Sequence, residues 1–279
     1  MKASLADILA EHAGPEKATS RPRGKVSDQQ FAESKHQYTD PRTGERVVSV
    51  TTVVGAFDSG DKLGRGARAA VNIERAGGDY RAEWDDKRDT GSRVHSYADL
   101  WLNGKTAEIP DEDGPWMDAF ADWCDVKRPE WLVTERAGVG SVECPAGPCG
   151  VCDFTGRLGF GGRFDAIGYW DDLFTLGDFK TGKSWRPELT IQLAGYANFD
   201  GLIVYDGDGK AVDIEPLPHI DRWCGIYIRP EGVDVIECPD PSKVDGDWTA
   251  DQMKAEAFQV FTNLLYVKKW SNQINRKGK

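Results

Sequence analysis

The sequence predicts an α/β fold with a mixed central β-sheet flanked by helices. Helical patterning dominates the first part of the domain, up to about residue 127. Strand patterning begins at residue 130, and one helical segment interrupts it. A long amphipathic pattern at 250–270 closes the chain. This order of helices, strands, helix, strands and helix is typical of a mixed sheet covered by helices.

Length and composition place the chain among globular proteins. Its 279 residues suit one large domain, and 39% hydrophobic residues with 10 Trp can fill a sizeable core. No apolar run approaches the ~20 residues that a membrane-spanning helix requires. The first residues lack the apolar core of a signal peptide. We therefore expect a cytoplasmic protein, in the host cytoplasm if a phage encodes it.

The net charge of −11 narrows the nucleic-acid partners that can be expected. It argues against a protein that coats nucleic acid through a broad basic surface. It leaves room for an enzyme that grips DNA in a local groove around an acidic metal site. Basic residues are clustered at 21–25 and 268–279, and we interpret both clusters as solvated tails.

Three segments are predicted along the chain. Residues 1–45 are polar and broken by glycine and proline, so we expect a short helix followed by a flexible segment. Residues 46–271 form the domain, with a cysteine-containing loop at 143–153. Residues 272–279 form a basic tail.

The first part of the domain is predicted to be mainly helical. The segment 46–57 is its first strongly apolar run. Helices are predicted over 91–104, which carries His95, and over 114–127. Gly91 is expected to interrupt the helical pattern where the first of these helices begins.

The second part is predicted to be mainly extended. A helix over 187–199 accepts Pro187 in its first turn. The predicted strands are 130–139, 157–170, 173–180, 201–206, 222–230 and 233–238.

The second and third of these strands form a predicted hairpin, because the turn-forming pair 171–172 joins them. If these two residues are the turn, Trp170 pairs with Leu173, and every further pair of residue numbers has the same sum. Asp165 then lies directly opposite Asp178. Cross-strand partners share a face of the sheet, with Cβ atoms about 5 Å apart.

This register brings two carboxylates and a lysine to one face. Two like charges so placed repel each other unless a cation lies between them. Lys180 is two residues from Asp178 and therefore points to the same side. Carboxylate oxygens suit Mg²⁺ or Mn²⁺, which can activate water and neutralise charge on a phosphate, and the lysine can stabilise that charge. The constellation is typical of a metal-dependent phosphodiesterase.

A second chemistry fits the same stretch. The segment 177–184 reads G-x-x-x-x-G-K-S, which is a literal match to a phosphate-binding P-loop, and Asp206 could supply its second acid. A P-loop opens directly into a helix, and Pro187 would disrupt a helix that began at Lys183. The strand before the loop also belongs to an antiparallel hairpin. We therefore favour the metal site over a P-loop NTPase.

Four motifs in order resemble the PD-(D/E)xK nuclease superfamily. They are a histidine on an upstream helix (His95), G-x-x-D ending at Asp165, D-x-K at 178–180 and Q-x-x-x-Y at 192–196. The chain is most similar to the RecB-type branch, which includes the CRISPR-associated RecB-like exonucleases and related phage exonucleases. The resemblance covers roughly residues 46–270. It implies a restriction-endonuclease-like fold with an N-terminal helical segment.

The resemblance also implies the ligands of the metal ion and the catalytic lysine. His95, Asp165 and Asp178 would hold Mg²⁺ or Mn²⁺, together with the backbone carbonyl of Phe179. Lys180 would be the catalytic lysine.

Three further residues receive roles from the same resemblance. Glu135, on the preceding strand, would bind a second metal ion or position the first. Gln192 and Tyr196, four apart on one helical face, would line the DNA path or brace the site. The alternative is that both are ordinary surface and core residues of the helix.

The implied function is metal-dependent, exonucleolytic hydrolysis of DNA in phage or bacterial recombination, replication or repair. The expected partners are DNA, single- or double-stranded and at its ends, and proteins of recombination or replication. The rival hypothesis is a non-catalytic subunit of the same fold that binds DNA ends or a partner protein. The intact ligand set argues against this rival.

Three cysteines, Cys144, Cys149 and Cys152, depart from the family pattern. Their C-x4-C-x2-C spacing fits one kind of iron–sulfur cluster, and thiolates equally suit zinc. RecB-type nucleases that carry an iron–sulfur cluster have its cysteines elsewhere in the chain, so that cluster cannot be transferred. A reduced, metal-free loop is the alternative. A fourth ligand would have to come from one of the remaining cysteines, Cys124, Cys224 and Cys238.

Overall fold

A computed structural model describes residues 37–57, 62–182, 186–240, 242 and 247–277. The predicted short N-terminal helix lies outside these residues. The elements in chain order are β1 (Tyr38–Thr39), β2 (Arg46–Ser49), α1 (Val50–Val54), α2 (Lys62–Arg75), α3 (Tyr80–Leu102), α4 (Gly114–Lys127), β3 (Glu130–Glu143), β4 (Arg157–Trp170), β5 (Leu173–Lys180), α5 (Pro187–Ala197), β6 (Gly201–Tyr205), β7 (Ala211–Pro216), β8 (Arg222–Arg229), β9 (Gly232–Glu237) and α6 (Ala250–Lys277).

The described strands form one mixed sheet. Its main order is β7-β6-β3-β4-β5-β8-β9, and β2 joins it beside β4 while pairing with β1. Two neighbouring pairs, β2 with β4 and β5 with β8, run parallel, and the others run antiparallel. The predicted mixed α/β class is confirmed.

Helices cover both faces of the sheet. On one face α1, α5 and α6 enclose the larger core, which contains the fully buried Phe160 and Phe261. On the other face α3 and α4 pack their buried Val94 and Phe120 against Phe179 of β5. Each such side chain contributes about 1.5–3 kcal/mol when it is removed from water. The two cores hold α3 and α5 against opposite faces of the same strands.

The β4–β5 hairpin has the predicted register. Asp171 and Asp172 both have positive φ, at 50° and 61°, which gives a two-residue turn whose twist matches the strands. Trp170 pairs with Leu173, and the register continues without a shift as far as Ala166. The turn therefore determines which residues of β4 and β5 face each other at the far end of the hairpin.

Helix α3 is longer than predicted. It begins at Tyr80, because the Asp79 side chain accepts hydrogen bonds from two N–H groups of the first turn, and it runs without a break to Leu102. The predicted interruption at Gly91 is wrong. A Cβ at this position would lie 3.1 Å from Thr181 Oγ1. The glycine therefore allows the helix to approach the end of β5 closely.

Strand β1 lies inside the segment 1–45 that is predicted to be flexible. Tyr38 pairs with Val47 of β2, and its side chain is buried. Arg42 forms an ion pair with Asp200 at 2.8 Å. The domain therefore includes residues before 46, and a two-residue strand is too short to produce a periodic signal.

Other element boundaries also differ from the prediction. The apolar run 46–57 divides at Ser49, whose Oγ accepts a hydrogen bond from the Thr52 N–H at 3.1 Å and caps α1. Helix α6 continues to Lys277, so most of the predicted 272–279 tail is helical. Strand β7, whose side chains are largely exposed, has no counterpart in the prediction.

In the described residues, the first helix after β5 begins later than a P-loop requires. Helix α5 starts at Pro187, and Arg186 before it is extended, with φ −137° and ψ 144°. Lys183 and Ser184 lie outside the described residues. In the part of the chain that the structure describes, no helix is both long enough and apolar enough to cross a membrane.

Candidate active site

A cleft of about 700 Å³ lies between α3, α5 and the strands β3, β4 and β5. These elements come from distant parts of the chain, and the sheet brings them together. The cleft collects every side chain that the acid–lysine hypothesis singled out. They are His95, Glu135, Asp165, Asp178, Lys180, Gln192 and Tyr196.

Three of these residues form one group of ligand atoms. His95 Nδ1 lies 3.4 Å from Asp165 Oδ2. Glu135 completes the group, and the three ligand atoms lie within 4.8 Å of one another. Helix α3 supplies the imidazole, and the neighbouring strands β3 and β4 supply the carboxylates.

Asp178 and Lys180 form a second, more deeply placed group. Lys180 Nζ and Asp178 Oδ2 form an ion pair, and the Asp178 side chain is only 2% exposed. Gln192 Nε2 donates to Asp178 Oδ1 at 2.9 Å, and it also lies 3.2 Å from the Tyr196 hydroxyl. Gln192 therefore braces Asp178 from α5, and Tyr196 supports Gln192.

The two strands of the hairpin separate where the predicted carboxylate pair lies. Backbone pairing of β4 with β5 ends at Ala166 and Gly177, one step before Asp165 and Asp178. The Phe179 N–H instead donates to Asp165 Oδ2 at 2.6 Å. The Asp165 carboxylate thus takes the place of a backbone acceptor. The hydrogen bond from Phe179 also holds this carboxylate in position.

Glu135 lies opposite Asp165 in the β3–β4 register, between two backbone-paired positions. It has a φ of 47°, which is rare for a residue other than glycine. A β-bulge lies just before it, between Trp131 and Val133. Arg163 Nε lies 3.0 Å from Glu135 Oε2. The irregular backbone turns this carboxylate towards Asp165, and such strain is concentrated at functional sites.

Burial raises the pKa values of two carboxyl groups in the cleft. It raises the pKa of Asp178 to about 6, although the Lys180 charge opposes this shift. It raises the pKa of Glu135 to about 7, and the negative charge of Asp165 adds to the effect. Both groups therefore take up a proton near neutral pH when no cation is bound.

The pKa values of three other groups in the cleft shift towards the charged form. Burial alone would raise the pKa of Asp165, but His95, Lys180 and the Phe179 N–H lower it overall. Burial alone would lower the pKa of Lys180, but the two aspartates beside it raise it. The pKa of His95 is likewise raised, because the Asp165 carboxylate outweighs the effect of burial.

Phe179 supports the site with its ring. Its centroid lies 5.3 Å from that of Phe120 and 6.3 Å from that of His95, both edge-to-face. The ring therefore packs against the imidazole from the core side. The role of its backbone carbonyl as a metal ligand stays a prediction.

The sequence did not indicate a hydrogen-bond network that joins α3 to β3. Thr134 Oγ1 donates to Asp99 Oδ1 at 2.5 Å, and Asn103 Nδ2 donates to both side chains. Asp99 is one helical turn after His95, and Thr134 precedes Glu135. This network therefore connects the elements that carry two of the candidate ligands. The spacing of four from His95 was the only signal available.

Basic side chains at the cleft were also missed. Lys87 and Arg88 line it from α3, and Arg163 lines it from β4. Lys87 lies 3.4 Å from Glu83, and Arg88 lies 3.1 Å from Asp85. These two pairs are exposed and therefore weak, so an anionic ligand can compete for the cations. Of the three, only Arg163 lies within a motif that the sequence had marked.

A second group of potential metal ligands lies outside the cleft. Cys144 Sγ is 3.7 Å from Cys149 Sγ, which is 3.9 Å from Cys152 Sγ. Among the described residues, no fourth histidine, cysteine or acid joins the three. The predicted choice of a fourth ligand is therefore wrong, because none of the remaining cysteines joins the group: Cys124, Cys224 and Cys238.

Comparison with known proteins adds little. No family model matches the chain, and no curated protein sequence matches it. Among solved structures, the chain is similar to one described as the crystal structure of SSO0001, at 12% identity and a TM-score of 0.36. The match covers 94% of this chain and 84% of that one. A likeness this weak carries no argument about function.

Proposed function

We propose that this chain is a metal-dependent nuclease that hydrolyses phosphodiester bonds in DNA. One observation carries the proposal: the Asp178–Lys180 ion pair, whose carboxylate is buried, lies in the same cleft as Asp165 and His95. Taking two charges out of water costs free energy that their attraction often fails to offset. An ion pair whose carboxylate is buried at the wall of an open cleft is therefore better explained by chemistry than by stability.

The donors in the cleft fit a divalent cation. Carboxylate oxygens of Glu135 and Asp165 suit Mg²⁺ or Mn²⁺, and the imidazole of His95 favours Mn²⁺ of the two. Asp165 remains ionised because its pKa is lowered, and the carboxylate of Asp178 would complete the donor set. When bound, such an ion lowers the pKa of a water molecule and neutralises charge on phosphate oxygens.

The residues around these donors have separate tasks. Lys180 keeps its proton because its pKa is raised, so it acts as a fixed cation beside charge that develops on the phosphate. Gln192 holds Asp178 in its orientation through one hydrogen bond. Tyr196 stays neutral because burial raises its pKa far above the usual range, and its hydroxyl supports Gln192.

The surroundings of the cleft support an anionic polymer as substrate. Lys87, Arg88 and Arg163 line it, although the chain as a whole carries a net charge of −11. Cations are therefore concentrated where a phosphate backbone would enter. The preference for DNA ends, and a role with recombination or replication proteins, come from the resemblance to RecB-type nucleases and remain part of the proposal.

The P-loop alternative has no comparable support. Its lysine would have to precede a helix, whereas α5 begins only at Pro187. The non-catalytic alternative does not explain why the Asp178–Lys180 pair, with its buried carboxylate, lies in the cleft. We therefore retain hydrolysis as the proposal.

Digestion of end-labelled linear DNA tests the proposal. Single- and double-stranded substrates, with circular DNA beside them, are incubated with Mn²⁺, Mg²⁺ or EDTA. We expect metal-dependent cleavage of the linear forms and at least about a 100-fold loss in Asp178→Asn and Lys180→Ala. Lys105→Ala, at an exposed position outside the cleft, is the matched control and should cleave normally. Wild-type protein that cleaves nothing, or cleavage that survives both substitutions, would overturn the proposal.

A further inference from the structure

The three-cysteine group lies far from the cleft. Cys144 follows the last residue of β3, nine residues after Glu135. At about 3.3 Å per residue, this separation is about 30 Å along the strand. The cysteines therefore take no direct part in the proposed hydrolysis, and their purpose has to be sought in their own surroundings.

The sulfur–sulfur distances match those of a tetrahedral site. Zinc–thiolate bonds are about 2.3 Å long, so two thiolates on one tetrahedral ion lie about 3.8 Å apart. The observed separations are 3.7 Å between Cys144 and Cys149 and 3.9 Å between Cys149 and Cys152. In a [2Fe–2S] cluster, which the spacing resembles, two cysteines share each iron atom, so Cys149 could lie this close to one of its neighbours but not to both. The observed distances thus favour a single ion.

The backbone around the cysteines directs an N–H group at one of the sulfurs. The Cys149 N–H donates to Cys152 Sγ at 3.3 Å. Hydrogen bonds to a charged group favour its charged form, so this N–H favours the thiolate form of Cys152.

We propose that Cys144, Cys149 and Cys152 bind one Zn²⁺ through three thiolates, with a fourth ligand from solvent or a small molecule. Binding releases the three thiol protons to solvent and leaves sulfur and zinc in their original oxidation states. Cys144 and Cys152 are buried, whereas Cys149 is half-buried, so the open coordination position faces the side of Cys149.

The site would join two parts of the fold. Cys144 and Cys152 belong to the larger core, beside Leu158 and other residues of the sheet. The side chain of Gln273, near the end of α6, donates to the carbonyl oxygen of Gly150 between the cysteines. A zinc ion here would hold the β3–β4 connection in the shape that α6 contacts. This inference is independent of the proposed hydrolysis.

Metal analysis of the full-length chain tests the inference. Protein purified under reducing conditions is loaded with Zn²⁺, dialysed against metal-free buffer and measured by mass spectrometry. We expect one zinc per chain and at least a tenfold loss in Cys149→Ala. Cys238→Ala removes a buried thiol outside the group and should retain the zinc. Asp165→Asn should also retain it, which separates this site from the cleft.

Two results would overturn the inference. One is less than a tenth of an equivalent of zinc in the wild type, or iron with sulfide in its place. The other is zinc that Cys149→Ala retains in full. Replacement of zinc by Co²⁺ provides a check that needs no variant. Three thiolates on a tetrahedral Co²⁺ ion give strong sulfur-to-metal charge-transfer absorption, and a spectrum without it would also contradict the proposal.

Discussion

The two ends of the β3–β4 hairpin carry two groups of potential metal ligands, and they are built in opposite ways. At one end, β-sheet register and a bulge bring Glu135 and Asp165 together, and the site opens into a cleft of about 700 Å³. At the other end, a short loop with a single 3₁₀ turn brings Cys144, Cys149 and Cys152 together against the core.

The donors differ in the same way. The cleft offers hard oxygens and one imidazole, with pKa values that neighbouring charges shift in both directions. The loop offers soft sulfurs, and the Cys149 N–H donates to one of them. A site that binds and releases substrate must be open to solvent, and its ionisable groups must be able to gain and lose protons. A site that only holds a loop in place needs neither property. We therefore expect the first end to control catalysis and the second to control stability.

The largest expected effect is on the rate of DNA cleavage, measured in one variant from each end of the hairpin. Asp165→Asn should lower the initial rate of DNA cleavage by about 10³-fold, because it removes a ligand charge and the partner of His95. Cys149→Ala should leave at least half of the rate. Rates are measured on end-labelled linear DNA, at a temperature where circular dichroism shows both variants folded. Equal losses in the two variants would abolish the distinction between the ends.

Removal of zinc should affect stability alone. A zinc-selective chelator should lower the melting temperature by about 10 °C, which corresponds to a ligand at roughly 1,000 times its dissociation constant. Calorimetry measures the shift, and Cys149→Ala should melt at the lower temperature with or without chelator. A melting temperature that the chelator leaves unchanged would contradict the role of the loop.

The acid end should make metal-free stability depend on pH. The pKa of Glu135 is raised from 4.5 to about 7, so between these values the folded chain holds a proton that the unfolded chain lacks. Its contribution to the free energy of unfolding therefore falls as pH rises through this window, by about 3 kcal/mol. Urea unfolding in EDTA measures the fall, and Glu135→Gln should reduce it. A parallel fall in the variant would exclude Glu135 as the source.

The smallest expected effect concerns the network between α3 and β3. Thr134→Val keeps the shape of the side chain but removes the hydroxyl that donates to Asp99. We expect about a tenfold loss of activity, because residues that orient metal ligands typically contribute this much. The loss should be relieved at high Mn²⁺ concentration. Titration of the rate with Mn²⁺ measures it, and an unchanged titration curve would show that the network is structural only.

Local chemistry explains which features could be predicted. The turn at 171–172 and the register that it imposes follow from neighbouring residues, so the approach of Asp165 to Asp178 could be read from the sequence. The Glu135 backbone and the Asp99–Thr134 hydrogen bond depend on how α3 and β3 meet. No sequence pattern predicts this packing of α3 against β3.

The failures at Gly91 and at the cysteines have the same origin. Gly91 suggested an interruption, but its lack of a side chain serves the contact of α3 with Thr181. The search for a fourth cysteine relied on spacing, whereas Cys124 and Cys224 belong to the smaller core, on the opposite face of the sheet from the larger core that contains Cys144 and Cys152. The features that depend on tertiary contacts were the ones that could not be predicted from the sequence.

The two-residue turn at Asp171 and Asp172 has a consequence at the other end of the hairpin. One additional residue in this turn would shift β5 by one position against β4 and rotate Asp178 to the opposite face. The side chains at the turn are exposed and can vary, but their number cannot. The spacing between the two central carboxylates is thus determined by the length of a loop that never touches them.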